Sequence, residues 1–548
     1  MPSPNGEVFR GIAITSKKFL LPDHIAGCAN RSISQVPFSL NRRQLLGSIG
    51  LLAGSTLWAG QSSEAFASAL GATTLPTSKW LRHENRRAGS TEWLSHKAAS
   101  VGALDGYASS TSVNRGESLD LFVSTTYASF IVKVFRMGYY QGLGARLIET
   151  SSKVDGNMQA IPSPDQLGTV DCHWESSLQL SINHRYPPGQ YLALLVAPDQ
   201  TGRFVPFLVR DDSSKAAFVY MSSVTTWQAY NAWGGFSLYR GANQDGDDGF
   251  NDATRADVVS FNRPYSRSMQ NGAGDFLGNE FPLLFLAEQL GLDMTYWTSL
   301  DLHERGDLLS SHQALLSLGH DEYYSPAMRD AVTTAVNNGL NVSFFGANFI
   351  YRKIRFEPSV NGQYRLMVNY RSTADPIMAT NPQLATVNWQ DYPSGIASST
   401  FSGSYWGGVD GTGSLEVENA STWLWANTGL SNGSVLPNAL GGEFNHYVTT
   451  AVNPDNVEIL ARSSVGGGES DVTYVAQPDG GGVFCSGTGH WIYDLSNFPN
   501  LYTLQQGYML APPIANVTLP IRRATVNVLS LFGSGPAGTT QPSTSTSY

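Results

Sequence analysis

Cysteine is scarce in this chain, with three residues among 548, and none of the three belongs to a C-x-x-C pair. Three cysteines are too few for a disulfide framework, and the absence of such pairs argues against zinc–thiolate sites. Charged residues are also sparse, at 14% against about 25% in typical soluble proteins. The net charge is -10, and no basic run is interleaved with aromatic residues. Nucleic acid is therefore excluded as a partner, since phosphate binding needs a basic surface.

Familiar catalytic motifs are missing as well. The sequence has no G-x-S-x-G elbow, no H-E-x-x-H zinc motif and no Walker loop. Ser317 and Cys485 both lie inside apolar runs, which favours buried side chains over exposed nucleophiles. The acidic loop at 245–252, DGDDGFND, lacks the spacing and the closing glutamate of an EF-hand. A solvated loop is favoured there over a cation site.

The first 69 residues are interpreted as a twin-arginine signal peptide with a long n-region. Arg42 and Arg43 precede a glycine-rich apolar run, and Ala65-Phe66-Ala67 offers a small-x-small cleavage site. The run from Leu45 to Ala59 is shorter than the roughly 20 apolar residues that span a bilayer, which favours export over an uncleaved anchor. We therefore expect a periplasmic or secreted protein with no membrane contact after cleavage.

Two architectures follow one another along the expected mature chain. From 78 to 212, short apolar or alternating strands separated by turn residues predict an immunoglobulin-like β-sandwich. From 213 to 532, strands alternate with helices, which predicts a doubly wound α/β domain with a parallel sheet. The alternation is lost around 355–475, where we expect an insertion of irregular and β structure. The tail at 533–548, rich in Gly, Ser, Thr and Pro, is expected to be disordered.

Glycine and proline mark the element boundaries of the α/β part. Gly291 and Gly339 follow predicted helices as C-cap residues, and Pro326 begins one of them. The predicted strands are Ala216–Ser222, Met294–Trp297, Ala314–Leu318, Asn341–Phe345 and Gly482–Ser486, and the predicted helices are Glu280–Leu290, Asp301–Leu309 and Pro326–Asn338.

Polar residues follow several of these strands directly. The segment Leu315–Ser325, LLSLGHDEYYS, passes from an apolar run to His320, Asp321 and Glu322. A carboxylate such as Glu322 is costly at the end of a buried strand unless it is paired or metal-bound. The alternative is a polar loop in which His320 and Asp321 cap the following helix. Because the carboxyl ends of parallel strands meet in one crevice, we expect three further clusters to join it: Trp227–Tyr230, Asn348 and His490–Trp491.

Five segments carry a likeness to known proteins: FRMGYYQGLGARL at 135–147, TTWQAYNAWGGFSLY at 225–239, SFNRPY at 260–265, LLSLGHDEYYS at 315–325 and FFGAN at 344–348. Together they resemble the large (beta) subunit of N,N-dimethylformamidase and its relatives, in the C-terminal domain and the β-sandwich before it. The likeness extends from about 118 to 491. It implies a β-sandwich followed by an α/β domain resembling class I glutamine amidotransferases, with a mononuclear iron held by two tyrosines and one glutamate.

The resemblance implies particular metal ligands in this chain. The glutamate is Glu322 of GHDEY, and the tyrosines are Tyr230 of WQAYN and Tyr265 of NRPY, with Tyr239 as the reserve choice. Phenolate and carboxylate are hard oxygen donors that suit ferric iron, and their three negative charges would neutralise it. A tyrosine with a pKa near 10 must lose its proton to bind, which the charge of the metal would drive.

The resemblance also implies catalytic residues close to that metal. His320 and Asn348 are expected to orient water or substrate, and Glu443 of GGEFNHY is expected to act as a further acid or base. Tyr323 and Tyr324 are expected to be packing residues rather than ligands, with the tyrosine ligands coming from other strands.

The expected function is therefore that of an exported, iron-dependent hydrolase that cleaves a small amide or another non-peptide C–N bond with metal-activated water. One alternative is a non-catalytic protein that binds carbohydrate or peptide in an aromatic-rich crevice. Another is an iron-free amidotransferase-like enzyme that uses Glu322 and His320 directly. The dimethylformamidase works with a separate small subunit, and the sequence leaves open whether this chain has such a partner or forms a homo-oligomer.

Overall fold

The computed structural model describes residues 75–241, 254–465, 468–496, 498 and 515–546. Over this part the chain is a mixed α/β protein with many β-sheets and few helices. Among these residues, no helix has both the length and the apolar character needed to cross a bilayer. The expected signal peptide at 1–69 and the acidic loop at 245–252 lie outside the described residues.

The first part of the described chain is almost entirely β structure. Its helix α1 is Lys79–Glu84, and its strands are β1 (Lys97–Ala98), β2 (Leu104–Ala108), β3 (Ser112–Asn114), β4 (Ser118–Thr125), β5 (Ser129–Met137), β6 (Ala145–Thr150), β7 (Val154–Asp155), β8 (Leu178–Ser181), β9 (Gly189–Val196) and β10 (Thr201–Arg210). One sheet has the order β1-β10-β9-β5-β6, with β3 on β10 and β7 on β5, and a second has the order β2-β4-β8.

Side chains from both of these sheets form one core, which includes Leu119 and Leu121 of β4, Val132 of β5, and Ala193 and Leu195 of β9. The first part of the described chain is thus mostly β structure, and its division from the α/β part as a separate domain stays a prediction. Its assignment to the immunoglobulin type stays a prediction.

The α/β part is built on a seven-stranded central sheet. Its strands follow the order β13-β11-β14-β16-β24-β23-β22. In chain order, the strands of this part are β11 (Phe218–Ser222), β12 (Val258–Ser260), β13 (Met294–Thr298), β14 (Ala314–Gly319), β15 (Tyr323–Tyr324), β16 (Asn341–Gly346), β17 (Arg352–Lys353), β18 (Arg355–Ser359), β19 (Gly362–Val368), β20 (Tyr405–Glu416), β21 (Val435–His446), β22 (Glu458–Val465), β23 (Gly468–Ala476) and β24 (Gly482–Cys485).

The five predicted strands are all present in this sheet, and from β13 to β24 they are mutually parallel. The chain leaves β11 for β13 on one side and then returns to β14 on the other. Open α/β sheets bind ligands beyond the carboxyl ends of their strands where the winding reverses. The crevice above β11 and β14 is therefore the first place to look for a site. The likeness to amidotransferases stays a prediction.

The helices agree with the predicted boundaries within a few residues. The helix Phe281–Leu290 ends at Gly291, whose φ of 67° is left-handed, and Ser325 caps the helix that Pro326 begins. His320 and Asp321 therefore do not cap that helix. The helices after α1 are α2 (Val224–Tyr230), α3 (Phe276–Asn279), α4 (Phe281–Leu290), α5 (Ser299–Arg305), α6 (Pro326–Asn337), α7 (Ser399–Ser402), α8 (His490–Tyr493), α9 (Ala515–Phe532) and α10 (Ala537–Thr540).

The region 355–475 is only partly the insertion that was expected. Strands β12, β19 and β18 form a small sheet in that order, and β20 and β21 form a long antiparallel hairpin. Strands β23 and β22, however, extend the central sheet beyond β24, each antiparallel to the strand before it in the sheet. Antiparallel neighbours need no crossover helix, so the strand–helix alternation disappears from the sequence although the sheet continues.

The tail beyond 533 is held against the sheet as far as 546, contrary to the expected disorder. Helix α10 lies in this segment, and the Gly535 carbonyl accepts a hydrogen bond from Asn341 Nδ2 at 2.8 Å. The Tyr474 hydroxyl donates to the Gln541 carbonyl at 2.7 Å, and the Ser543 hydroxyl donates to the Asn456 carbonyl at the same distance. These hydrogen bonds give polar groups of the tail fixed partners. The amino-acid composition of the tail does not reveal such partners.

A buried ion pair joins the β part to the α/β part. Arg136 of β5 donates from Nη2 to Glu288 Oε1 at 2.8 Å and from Nη1 to Oε2 at 3.0 Å, and both side chains are 0% exposed. The Tyr296 hydroxyl and Asn85 Nδ2 donate to the same carboxylate, and the Tyr140 hydroxyl accepts from Arg136. Such satisfied polar networks fix the orientation of the elements that carry them.

Candidate functional site

Two glycines bring the ends of β14 and β16 close together. A Cβ atom on Gly346 would lie 1.6 Å from the Gly319 carbonyl oxygen, and Gly319 has a left-handed φ of 59°. Only glycine allows this approach without strain. The chain that follows the two strands therefore delivers Glu322 and Asn348 to the same crevice.

The central feature of the crevice is the carboxylate of Glu322, which is 1% exposed. The Tyr239 hydroxyl donates to Glu322 Oε2 at 2.9 Å, and the Tyr230 hydroxyl donates to the same oxygen at 3.4 Å. The two phenol rings stack with centroids 4.3 Å apart. Arg352 Nε donates to the other oxygen, Oε1, at 3.1 Å. Two phenols and one carboxylate thus converge on one point.

An acid–base cluster adjoins this point. His320 Nε2 lies 2.9 Å from Glu443 Oε2 and 3.3 Å from Glu322 Oε2. Asn348 Nδ2 donates to Glu443 Oε1 at 3.1 Å and lies 3.1 Å from His320 Nε2. The Asn348 main-chain N–H donates to Asn445 Oδ1 at 2.7 Å. Since Glu443 and Asn445 belong to β21, the long hairpin supplies one wall of the site.

Charge stabilises the ionised forms of Glu322 and His320. Burial raises the pKa of Glu322, but the hydrogen bond and charge of His320, with the charges of Arg352 and Arg371, outweigh it and hold the pKa at about 2. Burial lowers the pKa of His320, but the carboxylates of Glu443 and Glu322 raise it well above the ordinary histidine value. An imidazolium between two carboxyl groups is the expected state at neutral pH.

The neutral forms of the two phenols are favoured instead. Burial is the main cause that raises the pKa of Tyr230 and Tyr239 well above 10, and the negative charge of Glu322 adds to it in both. Without a cation at this point the phenols keep their protons. A bound cation is what would ionise them, because its charge favours the phenolate.

Tyr265 is not brought to Glu322. Its ring packs edge-on against Trp227, with centroids 6.0 Å apart, and it lines a separate cavity. Within the described chain, no hydrogen bond joins Tyr265 to Glu322. Of the three candidate tyrosines, Tyr230 and Tyr239 therefore contact the carboxylate and Tyr265 does not. The reserve choice, Tyr239, replaces Tyr265 as the second tyrosine of the site.

Sequence reasoning missed a second layer around the phenols. The Tyr323 hydroxyl donates to the Tyr239 hydroxyl at 2.8 Å, and Arg371 Nη2 donates to the Tyr323 hydroxyl at 3.1 Å. The Arg371 guanidinium also lies 4.1 Å from the centre of the Tyr239 ring. Tyr323 is buried as expected, yet it also belongs to the site. Arg352 and Arg371 carried no sequence signal, because single arginines are common and neither follows a strand of the central sheet.

Other predicted neighbours take structural roles. The Tyr324 hydroxyl donates to Asp321 Oδ2 at 2.7 Å, away from Glu322, which agrees with its prediction as a packing residue. Trp491 Nε1 donates to Thr525 Oγ1, and His490 Nδ1 lies 3.4 Å from the Asn438 carbonyl oxygen. These contacts of the cluster at 490–491 thus run to Thr525 and to the Asn438 main chain.

A carboxyl group beneath the site makes stability depend on pH. Glu280 is fully buried and accepts hydrogen bonds from the Ser223 N–H at 2.9 Å and from Trp227 Nε1 at 3.0 Å. Burial raises its pKa from 4.5 to about 8. Between these two values the folded protein holds a proton that the unfolded chain releases. The free energy of unfolding should therefore fall as the pH rises through this window, by up to about 1.4 kcal/mol per pH unit from this group.

Urea unfolding of the wild type and of Glu280→Gln from pH 5 to pH 8 checks this expectation. The variant should lose the slope that Glu280 contributes, because its amide does not titrate. Equal slopes in both proteins would contradict the expectation.

The fold and the site together define a class: an α/β protein with a buried phenol–carboxylate centre beside a histidine–glutamate pair. A family model described as N,N-dimethylformamidase beta subunit-like, C-terminal, matches residues 131–504. The match covers more than half of the chain, and the chain belongs to this family, whose name indicates a dimethylformamidase-like hydrolase.

The remaining comparisons add little. No curated protein matches the chain. A solved structure of an uncharacterised protein from Bacillus anthracis str. Ames is 16% identical, with a TM-score of 0.14, and the match covers 22% of this chain and 93% of that one.

Proposed function

We propose that this protein is an iron-dependent hydrolase that cleaves a small amide or another non-peptide C–N bond. Its family supports the hydrolase class. The observation that carries the proposal is the meeting of the Tyr230 and Tyr239 hydroxyls at Glu322 Oε2, at 3.4 Å and 2.9 Å. The buried carboxylate and the two phenols together bring three oxygen donors to one point.

The donor set fits a ferric ion. Within the described residues, no group of three or more His, Cys, Asp and Glu side chains could hold a metal, so the phenols are essential to this assignment. Tyr230, Tyr239 and Glu322 would hold the ion with three negative charges, while Arg352 stays hydrogen-bonded to Oε1 of the glutamate. When bound, the ion supplies a Lewis acid for the amide carbonyl and for water.

The residues beside the phenols would handle the proton. Because His320 is an imidazolium, Glu443 is the group that would accept the proton of the attacking water, and His320 Nε2 lies 2.9 Å from Glu443 Oε2. The imidazolium would give its Nε2 proton to the amine that leaves when the C–N bond breaks, and it would regain a proton from Glu443. Asn348 donates to Glu443 Oε1 and keeps that carboxyl aligned with the imidazole.

Export by the twin-arginine route belongs to the same proposal. Arg42, Arg43 and the cleavage site at Ala65-Phe66-Ala67 support it from the sequence, and the whole segment lies outside the described residues.

Replacing one phenol tests the ligand assignment. Tyr239→Phe should lose most of the bound iron and the visible absorption of a ferric phenolate, because the ring stays but its oxygen is gone. Tyr265→Phe is the matched control and should keep both. Metal analysis and absorption spectra of the three purified proteins measure this. Iron lost from Tyr265→Phe and retained in Tyr239→Phe would contradict the assignment.

A screen of small linear amides for amine release tests the reaction itself. The proposal expects hydrolysis by the iron-loaded protein, loss of activity on chelation and recovery when iron is returned. Hydrolysis that is unaffected by removal of the metal would favour the iron-free enzyme. The absence of hydrolysis together with saturable binding of a sugar or peptide would favour the binding protein.

A further inference from the structure

A small cavity of about 30 Å³ lies between the β part and the α/β part. Strand β2 lines it from one side through residues 106–108, and Trp227 lines it from α2. Its polar wall is formed by Arg263, Tyr265 and Arg365 together with Ser110 and Thr111. The cavity is separate from the Glu322 site, because none of the residues that meet at Glu322 lines it.

Both arginines of this wall are buried without an acidic partner. Arg263 is 1% exposed and donates only to the main-chain carbonyls of 231, 233 and 236, while its Nε has no acceptor. Arg365 is 4% exposed and donates to Asn262 Oδ1 and to the main-chain carbonyls of 108 and 261. Among the described residues, neither guanidinium forms an ion pair with a carboxylate.

Two carboxylates of this region form their hydrogen bonds elsewhere, although the charge of Asp171 acts on both arginines without contact. Asp105 pairs with Arg203 at 2.8 Å. Asp171 accepts hydrogen bonds from Ser260 and Asn262. Two buried positive charges therefore flank one cavity with no negative charge in contact. Leaving a buried charge uncompensated is strongly unfavourable, whereas a counter-ion in the cavity would offset the cost.

We propose that this cavity binds a small monovalent anion of about the size of chloride, between Arg263, Tyr265 and Arg365. A volume of about 30 Å³ has room for one or two water-sized species, which suits an ion of this size. Burial lowers the pKa of both arginines only to about 10, so both stay cationic at neutral pH. Within the described chain the Tyr265 hydroxyl donates to no protein acceptor, so it can donate to the ion.

The anion would join the two parts of the molecule. Residues 106–108 come from the β part, whereas Arg263 and Arg365 come from the α/β part. Binding to the folded state alone raises stability in proportion to the logarithm of ligand concentration above the dissociation constant. Stability should therefore rise with halide concentration at fixed ionic strength.

Thermal unfolding of the whole protein in sodium chloride, sodium bromide and sodium gluconate at equal ionic strength tests this proposal. Tm should rise with the logarithm of the chloride or bromide concentration above the dissociation constant, but not with the larger gluconate. Tyr265→Phe should weaken the halide affinity about tenfold, as expected for losing a donor to a charged group, and Arg365→Gln should abolish the response. Tyr265→Phe keeps both arginines and most of the packing, so it tests the proposal even if Arg365→Gln does not fold.

Arg329→Gln is the matched control. Arg329 is also a buried arginine that donates to carbonyl groups, those of Ile396 and Ala397, but it does not line the cavity. It should keep the halide response. Crystals grown in bromide should show an anomalous peak between Arg263, Tyr265 and Arg365. A Tm that is equal in all three salts, or a cavity that holds water only and no bromide, would overturn the proposal.

Discussion

Glu322→Gln is expected to lose its bound iron and to hydrolyse amides at least about 100-fold more slowly, since even the outer-shell partners of metals contribute 10–100-fold. The change keeps the shape of the side chain but removes the negative charge on which both phenols converge. It also leaves Arg352, which donates to Glu322 Oε1 at 3.1 Å, without its carboxylate. Metal content and amine release from the purified variant measure the two losses separately.

Glu357→Gln is the matched control for that experiment. Glu357 also pairs with an arginine, Arg355 at 3.0 Å, but its side chain is 46% exposed and does not contact the site. The control should keep its iron and its activity. A Glu322→Gln protein that retains both would show that Glu322 is not a ligand.

Glu288→Gln is expected to lower the free energy of unfolding by about 3–5 kcal/mol, the usual cost of breaking a buried ion pair from one side. The glutamine would leave Arg136 charged and 0% exposed with no carboxylate beside it. Asn85 Nδ2 and the Tyr296 hydroxyl donate to the two different oxygens of Glu288. The glutamine amide would offer these two donors only one acceptor atom. Urea unfolding of the whole chain measures the loss.

An exposed pair provides the control for this second prediction. Arg185 and Glu149 are 2.8 Å apart with 56% and 23% of their side chains exposed. Glu149→Gln should change stability by no more than about 1 kcal/mol, because solvent screens such pairs. Equal effects of the two substitutions would contradict the importance given to the buried network.

The central strands could be predicted closely because their signals are local. The apolar run before Gly319 predicted Ala314–Leu318, and the strand is Ala314–Gly319. Buried parallel strands need continuous apolar residues, and glycine marks where they end. The same reasoning predicted that Glu322 and Asn348 would share a crevice, since parallel strands deliver their carboxyl ends to one edge.

Tyrosine positions could not be separated in the same way. Tyr239 and Tyr265 both lie in irregular segments, where no periodicity tells which way a side chain points. The structure separates them: Tyr239 donates to Glu322, and Tyr265 packs on Trp227. Arg371 was beyond prediction for a related reason, since its contact with Tyr323 joins positions 48 residues apart.

The edge of the central sheet was also hidden from sequence reasoning. Strands β22 and β23 are joined to β24 without an intervening helix, so nothing in their pattern distinguishes a sheet edge from an insertion. The ordered tail shows a similar limit. Asn341 and Tyr474 hold the tail through hydrogen bonds to its main-chain carbonyls, and such bonds cannot be predicted from the composition of the tail.

The most direct test of the iron site is anomalous diffraction at the iron absorption edge from crystals of the purified, iron-loaded protein. We expect one peak per chain, between the side-chain oxygens of Tyr230, Tyr239 and Glu322. A peak at other residues, or no peak at these three oxygens in protein that hydrolyses amides, would contradict the account.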